Sequence, residues 1–292
     1  MKPFTDPLPW PREAARPDNP HGAQLALPGS NIALDLHGDP VKSKLVIFSD
    51  GNHHMALADV TAAFLRAWPD AGDVFYLTTP PRILIETLRS GALSLGNLTL
   101  TLEPHVFISP REIVTALAGS HEIGTPAPFM RSRGLSILVA KGNPKSVRGI
   151  ADLIRADIRL AISNPQTEKA SFTVYAGAIC RNSPLGADET LSFLHGRKVI
   201  TSSLIHNREI PQIIASGLAH ASLIYHHLTL RHVRIFADQF DIFSIYYDEI
   251  AVTEYMVSIC GEGGLFGAQL VSFLHSDTAA EIFHHHGLHG SH

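Results

Sequence analysis

LSILVAKGNPKSVRGIADLIRADIRLAISNP, Leu135 to Pro165, decides the fold class. SILVAK reads as a strand and GNPKS as a turn. Val147 to Ile154 reads as a short helix with Asp152 facing outward, and Arg159 to Ile162 as a second strand. SNPQTEKAS is a polar loop at that strand's end, leading into a helix from about Phe172 to Cys180. Upstream, LVIFSD (Leu45 to Asp50) is an apolar strand ending in polar residues. Ala56 to Pro69 puts Leu57, Val60, Phe64 and Leu65 or Trp68 on one helical face, and Pro69 stops it. DVFYLTT is a further strand, Arg82 to Ser90 a helix ended by Gly91, and LTLTLEPHVFIS one or two strands. This alternation argues for a mostly parallel sheet covered by helices.

Downstream, Glu209 to Gly217 reads as a helix. Ala221 to His227 and Val233 to Ala237 read as strands, as does IAVTEYMVSIC. Two helices, Leu265 to Leu274 and Thr278 to His286, precede a short polar tail. Residues 1–40 are rich in Pro and Gly and read as an extended arm, with order beginning at Lys44. The expectation is an α/β chain of two lobes with a hinge. Lobe 1 takes residues 41–130 and 236–292, and lobe 2 takes residues 131–235.

Composition narrows the functions. The 292 residues are 45% hydrophobic, enough for a real core. Lys+Arg 23 against Asp+Glu 27 gives a net charge of -4 with no basic stripe, so nucleic acid is not an expected partner. Cys180 and Cys260 fit no metal spacing and read as buried free thiols. No run of 18 apolar residues offers a membrane span. The start, MKPFTDPLPWPREAARPDNPHG, lacks the basic and apolar regions of a secretory presequence. It places the chain in the cytoplasm if Met1 is the native start, and in the periplasm if a presequence was removed. G-x-S-x-G, H-E-x-x-H, P-loop and G-x-G-x-x-G motifs are all missing, so neither an enzyme nor a cofactor is expected.

Four segments, in order, resemble the periplasmic binding proteins of ABC transporters, most closely the molybdate/tungstate-type group of type II solute-binding proteins. They are LVIFSDGNHHMALADVTAAFLRAWP, GLSILVAKGNPKSVRGIADL, IASGLAHASLIY and FLHSDTAAEIFHHHGL, and the similarity runs from Lys44 to Leu288. The resemblance implies a two-lobed fold that clamps a small polar solute, an oxyanion or other anion, in an interlobe cleft. It also implies a membrane subunit of an ABC transporter as partner. Carried over by position, the cleft uses Ser49, Thr78, Thr79, the Asn164 to Thr167 loop and Tyr225.

The residues support that placement, because ligands of open α/β sheets lie beyond the carboxyl ends of the strands. Ser49 and Asp50 stand at such an end. The backbone N–H groups from Gly51 through Asn52 and His53 to His54 open a helix, which attracts anions. Ser49 reads equally as a helix cap. Asp50 is awkward for an anion site, because like charges repel; capping, pairing with a cation and pointing away are its other readings. Thr78 and Thr79 offer hydroxyls before Pro80. Arg131, with Arg133, offers paired donors or a solvated charge. Ser163, Asn164, Gln166 and Thr167 form a neutral donor set, and Tyr225 offers a phenol or packs as a core tyrosine.

Two alternatives stay open. His53-His54 and His226-His227 both follow expected strand ends, so His53 and His226 are candidate Zn or Cu ligands of a metal receptor. The other is an enzyme on this fold acting on a carboxylated or phosphorylated substrate, with Asp50 or a histidine as general base.

Overall fold

The computed structural model describes residues 8, 23–26, 33–51, 54–95, 97–203, 206–244 and 252–290. The chain begins with β1 (Ala23–Ala26), β2 (Ala33–His37) and β3 (Leu45–Asp50). Next come α1 (His54–Ala67), β4 (Val74–Thr79), α2 (Pro81–Ser90), β5 (Ala92–Leu95) and β6 (Leu98–Thr101). β7 (Val106–Pro110), α3 (Arg111–Gly119) and β8 (Ala127–Ser132) follow. Then come β9 (Leu135–Ala140), β10 (Leu160–Ile162), α4 (Lys169–Asn182), α5 (Ala187–Leu194) and β11 (Val199–Thr201). α6 (His206–Ala215), β12 (Ala221–Tyr225), α7 (His226–Ile235) and β13 (Phe240–Ser244) lead to β14 (Glu254–Ile259). α8 (Gly267–Leu274), α9 (Asp277–His285) and β15 (Leu288–Gly290) close the chain.

The chain divides into two compact units, at Arg131/Ser132 and again at Val252/Thr253. In the first unit, eight of the described strands form a sheet in the order β1-β2-β4-β3-β7-β14-β8-β15, and β5 and β6 pair antiparallel in a sheet of their own. β3 pairs in parallel with β4 and β7, whereas β2 pairs antiparallel with β4, and β14 antiparallel with β7 and β8. The expected mostly parallel sheet is therefore mixed. Helical crossovers impose parallel pairing only at its centre, and strands from the two ends of the chain fill in antiparallel.

Strand alternation gives this sheet two apolar faces. Leu45, Ile47, Val74 and Ile108 pack with Leu57, Val60 and Phe64 of α1, with α8 through Phe273 and with α9 through Phe283. Val46, Phe48, Phe75 and Phe107 pack with Ile83 and Leu84 of α2 and Val114 and Leu117 of α3. Phe48, Phe64, Phe75 and Phe107 are each at most 1% exposed, and burying a side chain of this size contributes about 1.5–3 kcal/mol. Between β2 and β3 the backbone turns at Gly38 with φ +87°. A Cβ there would lie 2.2 Å from the carbonyl oxygen of Val74, so only glycine fits.

The second unit holds a five-stranded sheet, β11-β10-β12-β9-β13. β10 pairs in parallel with β11 and β12, and β9 pairs antiparallel with β12 and β13. Its core joins Ile137, Val139, Leu160, Ile162 and Leu223 to Tyr175 and Ile179 of α4 and Ile210 and Ile213 of α6.

Several expectations are corrected. Order does not begin at Lys44: β1 and β2 extend the first sheet beyond β4, and the alternation of ALDLH suits such an edge. Leu8 is buried in the core of the second unit, and its N–H donates to Oε1 of Gln212 at 2.6 Å. Most of residues 1–40, read as an arm, lie outside the described residues. Residues 236–244, expected in lobe 1, belong to the second unit because β13 hydrogen-bonds to β9. Val233 to Ala237, expected as a strand, instead ends α7. The helix expected at 147–154 is a single 3-10 stretch, Ile150–Ile154. The polar tail contains β15, a short strand that joins the first sheet.

Candidate functional site

In the first unit, polar residues gather where β4, β3 and β7 end. The parallel register sets Ser49 beside Thr78, Asp50 beside Thr79, and Ser49 beside Ile108. Ser109, one residue further along β7, therefore lies level with Asp50. Ser49, Asp50, Thr78, Thr79 and Ser109 are all at most 4% exposed.

Alternation splits this row between the two faces. Ser49 and Thr78 share the face of α1. Asp50, Thr79 and Ser109 share the face of α2 and α3. Ser49 Oγ donates to the carbonyl of Asp50 at 3.2 Å, and Thr78 Oγ1 lies 3.3 Å from Nε2 of His37. Ser109 Oγ is buried and has no hydrogen-bond partner among the described residues.

Two helices start directly from this edge. Thr79-Pro80 leads into α2 and Ser109-Pro110 into α3, and neither helix has a side-chain cap. In α2, Pro81 carries no N–H and the N–H of Ile83 donates to the carbonyl of Pro80 at 3.0 Å, so α3, which opens on Arg111, is the helix start better suited to an anion. Ser109 was not among the residues expected from sequence. Its signal was present in ISPRE, a strand-end hydroxyl followed by proline, matching TTPPR. Arg131 lies at the end of β8 along the same edge, opposite Glu254 of β14, and is exposed. Asn52 and His53 lie outside the described residues.

The second unit repeats the arrangement. β10, β11 and β12 run in parallel, and their carboxyl ends lead to α4, α6 and α7. Ser163 is fully buried, and its Oγ has no hydrogen-bond partner among the described residues. Asn164 shapes the following loop. Its Oδ1 accepts from the N–H groups of Gln166 (2.9 Å) and Thr167 (3.3 Å), and its Nδ2 donates to the carbonyl of Ser202 (3.0 Å). Asn164 thus spends its side chain on the loop, and Thr167 is exposed.

A buried polar chain ties these strand ends together. Ser202 Oγ accepts from the N–H of Asn164 at 3.0 Å and donates to Glu168 at 2.5 Å. Glu168 also accepts from the N–H and Nδ1 of His206, and Nε2 of His206 lies 3.0 Å from the hydroxyl of Tyr175. The Tyr175 ring meets Tyr225 edge-on at 5.3 Å, and Tyr225 stacks on His227 at 5.5 Å. Burial pushes the Glu168 carboxyl up, but the hydrogen bonds and charge of His206, with Ser202, hold it below the usual carboxylate range. Tyr225 is 6% exposed at the start of α7. Sequence reasoning missed Glu168, Ser202 and His206, because contacts 34 and 38 residues apart leave no local pattern.

His226 and His227 do not end a strand; they open α7. Nδ1 of His226 lies 2.7 Å from Ser136 Oγ, which occupies one of its nitrogens. Among the described residues, no group of three or more His, Cys, Asp or Glu side chains is arranged to hold a metal. Further along α7, Arg231 and His232 are buried. Desolvation lowers the Arg231 guanidinium to about 10, and burial with neighbouring cations keeps His232 well below the usual histidine range.

A family model described as bacterial extracellular solute-binding protein matches residues 45–289. Solved structures share the fold at low identity. PEB3 bound to L-phospholactate is 15% identical at a TM-score of 0.59, covering 85% of this chain and 100% of its own. The sulfate-binding protein SubI from Mycobacterium tuberculosis H37Rv is 13% identical at 0.59, covering 84% and 86%. The periplasmic molybdate-binding protein of Azotobacter vinelandii is 15% identical at 0.53, covering 84% and 98%. No curated protein matches the sequence at a significant level.

Proposed function

Because this chain belongs to the bacterial extracellular solute-binding proteins, we propose that it captures a small anionic solute outside the cytoplasmic membrane for uptake by an ABC transporter. Family membership makes its role one of binding rather than catalysis. No helix among the described residues is long and apolar enough to cross a membrane, and the partner in this reading is a membrane subunit of the transporter.

One observation carries the anionic reading. Each unit buries a serine hydroxyl with no partner among the described residues, Ser109 and Ser163, at the carboxyl end of a strand in a parallel pair. A buried hydroxyl without a hydrogen bond costs about 1–3 kcal/mol. A solute that accepts from it recovers that cost. The start of α3 beyond Pro110 adds N–H donors and the positive end of a helix. In this reading the candidate donors are Thr79 and Ser109 in the first unit, with Ser49 on the sheet's other face, and Ser163 and Tyr225 in the second. Asn164 and Thr167 shape the loop beside Ser163. Arg131 adds a cation at the margin.

Sulfate, molybdate and phospholactate belong to the similar proteins, and those likenesses do not choose among them for this chain. The test is a thermal-shift and calorimetric panel of molybdate, tungstate, sulfate, phosphate, small carboxylates and divalent metals. An anion is expected to raise the melting temperature, by about 2.7 kcal/mol of added stability at a hundredfold excess over its Kd. Stabilisation by Zn or Cu alone, lost on chelation, would instead support the metal-receptor reading.

A further inference from the structure

Resting on that anion-binding reading, we infer that Glu168 is a positioning residue for the solute: it sets affinity through His206 and Tyr175, which hold the seat of Tyr225. All four residues belong to the second unit. Glu168 stands at the entry to α4, Tyr175 lies within α4, His206 opens α6 and Tyr225 ends β12. Folding links them in a different order, from a buried carboxylate through an imidazole and a buried ring to a phenol among the candidate donors. Ser202 joins the same carboxylate to the N–H of Asn164, the residue after Ser163, so the other candidate donor of this unit also leads back to Glu168.

Each link has its own geometry. The Glu168 side chain is 10% exposed and accepts from Nδ1 of His206 at 2.7 Å and from the His206 N–H at 3.0 Å. Burial raises its carboxyl, but the bonds from His206 and Ser202 bring it below the usual range, so at neutral pH it is a carboxylate and only accepts. Nδ1 therefore carries a hydrogen, and the imidazole is held with Nε2 at 3.0 Å from the Tyr175 hydroxyl. Tyr175 is fully buried, and its ring meets Tyr225 edge-on, with centroids 5.3 Å apart and planes at 68°. The other ring against Tyr225 is His227, stacked at 5.5 Å. Two rings thus seat the phenol, and one of them is anchored through His206 on Glu168. A donor placed before its partner arrives binds more tightly, because ordering that must happen on binding is subtracted from affinity. Without the Glu168 oxygen, Nδ1 of His206 loses its acceptor and the hold on Tyr175 loosens, so Tyr225 must be ordered as the solute binds. Glutamine at the same position keeps a carbonyl oxygen that accepts from Nδ1.

The test is calorimetry at pH 7 with molybdate, sulfate and phosphate, continued with the tightest of the three. Glu168→Ala should weaken binding about 5-fold or more, and Glu168→Gln should stay within about 2-fold of wild type. A residue that served stability alone would move the melting temperature and leave the Kd of the folded protein where it was. Tyr175→Phe keeps the ring, loses the anchored hydroxyl and should weaken binding by a factor similar to Glu168→Ala. In a Tyr225→Phe background, neither Glu168→Ala nor Tyr175→Phe should weaken binding by more than about 2-fold, since the phenol they place is gone. Unchanged affinity in Glu168→Ala, Tyr175→Phe or Tyr225→Phe would overturn the inference, and so would an equal loss with and without the Tyr225 hydroxyl. A loss in Glu168→Gln as large as in Glu168→Ala would also overturn it, because charge rather than position would then set affinity. If Glu168→Ala does not give a cooperative melt, the cycle of Tyr175→Phe with Tyr225→Phe decides alone. Failure of all three anions to bind the wild type would overturn the anion reading beneath it, which is a different result from equal affinity among the variants.

Discussion

The Glu168 carboxylate accepts from the backbone N–H of His206 at 3.0 Å and from its Nδ1 at 2.7 Å, joining the start of α4 to the start of α6. Both side chains are at most 10% exposed. This pair fixes two of the three strand-end helices of the second unit relative to each other, and Ser202 and Tyr175 extend it to either side.

Glu168→Gln should therefore cost about 2 kcal/mol, the value of a hydrogen bond to a charged group. The pH dependence follows from direction. Folding lowers the Glu168 carboxyl from its ordinary 4.5, so its stabilisation is complete at neutral pH. It is lost as pH falls below 4.5 and through the folded value. Urea unfolding between pH 3 and pH 7 should show a steeper acid loss in wild type than in Glu168→Gln, about a range set by that ordinary value. Parallel curves would remove Glu168 from this role.

The alternation of apolar runs with capped or proline-stopped segments made β3, α1, β4 and α2 readable in the sequence. Leu57, Val60 and Phe64 repeat at helical spacing, and Gly91 takes the left-handed C-cap with φ 69°. Val233 to Ala237 misled because a β-branched, aromatic run mimics a strand, while the preceding turns of α7 carry the helix through it. The strand-end positions of Ser49, Asp50, Thr79 and Ser163 were readable because polar residues at the end of an apolar strand stand out. Which face each occupies was not, since that depends on register against neighbouring strands. The Glu168–His206 pair was invisible for the same reason: it exists only after the loops after β10 and β11 come together.

Leu8 should matter more than its place in a Pro-rich segment suggests. It is 8% exposed, packs in the core of the second unit, and its N–H reaches Gln212. Leu8→Ala should lower unfolding stability by about 2 kcal/mol, as other cavity-forming leucine truncations do. A change under about 0.5 kcal/mol, the range of ordinary surface substitutions, would show that Leu8 contributes no core packing.

Ser222 separates structural from functional serines. Its Oγ is buried without a partner among the described residues, yet it lies within β12 rather than at a strand end. Ser222→Ala should raise stability by up to about 1 kcal/mol and leave solute affinity unchanged, because it removes only an unsatisfied group. Loss of affinity in Ser222→Ala would mean that the site extends into the body of the sheet.

The most direct measurement is the dissociation constant of the best-bound anion for wild type, Ser109→Ala and Ser163→Ala. Both hydroxyls are buried without partners among the described residues, one in each unit. Each truncation should weaken binding about 5–10-fold, the worth of one hydrogen bond of about 1 kcal/mol, while leaving the melting temperature equal or higher. Unchanged affinity in either variant would contradict the claim that its hydroxyl donates to the solute.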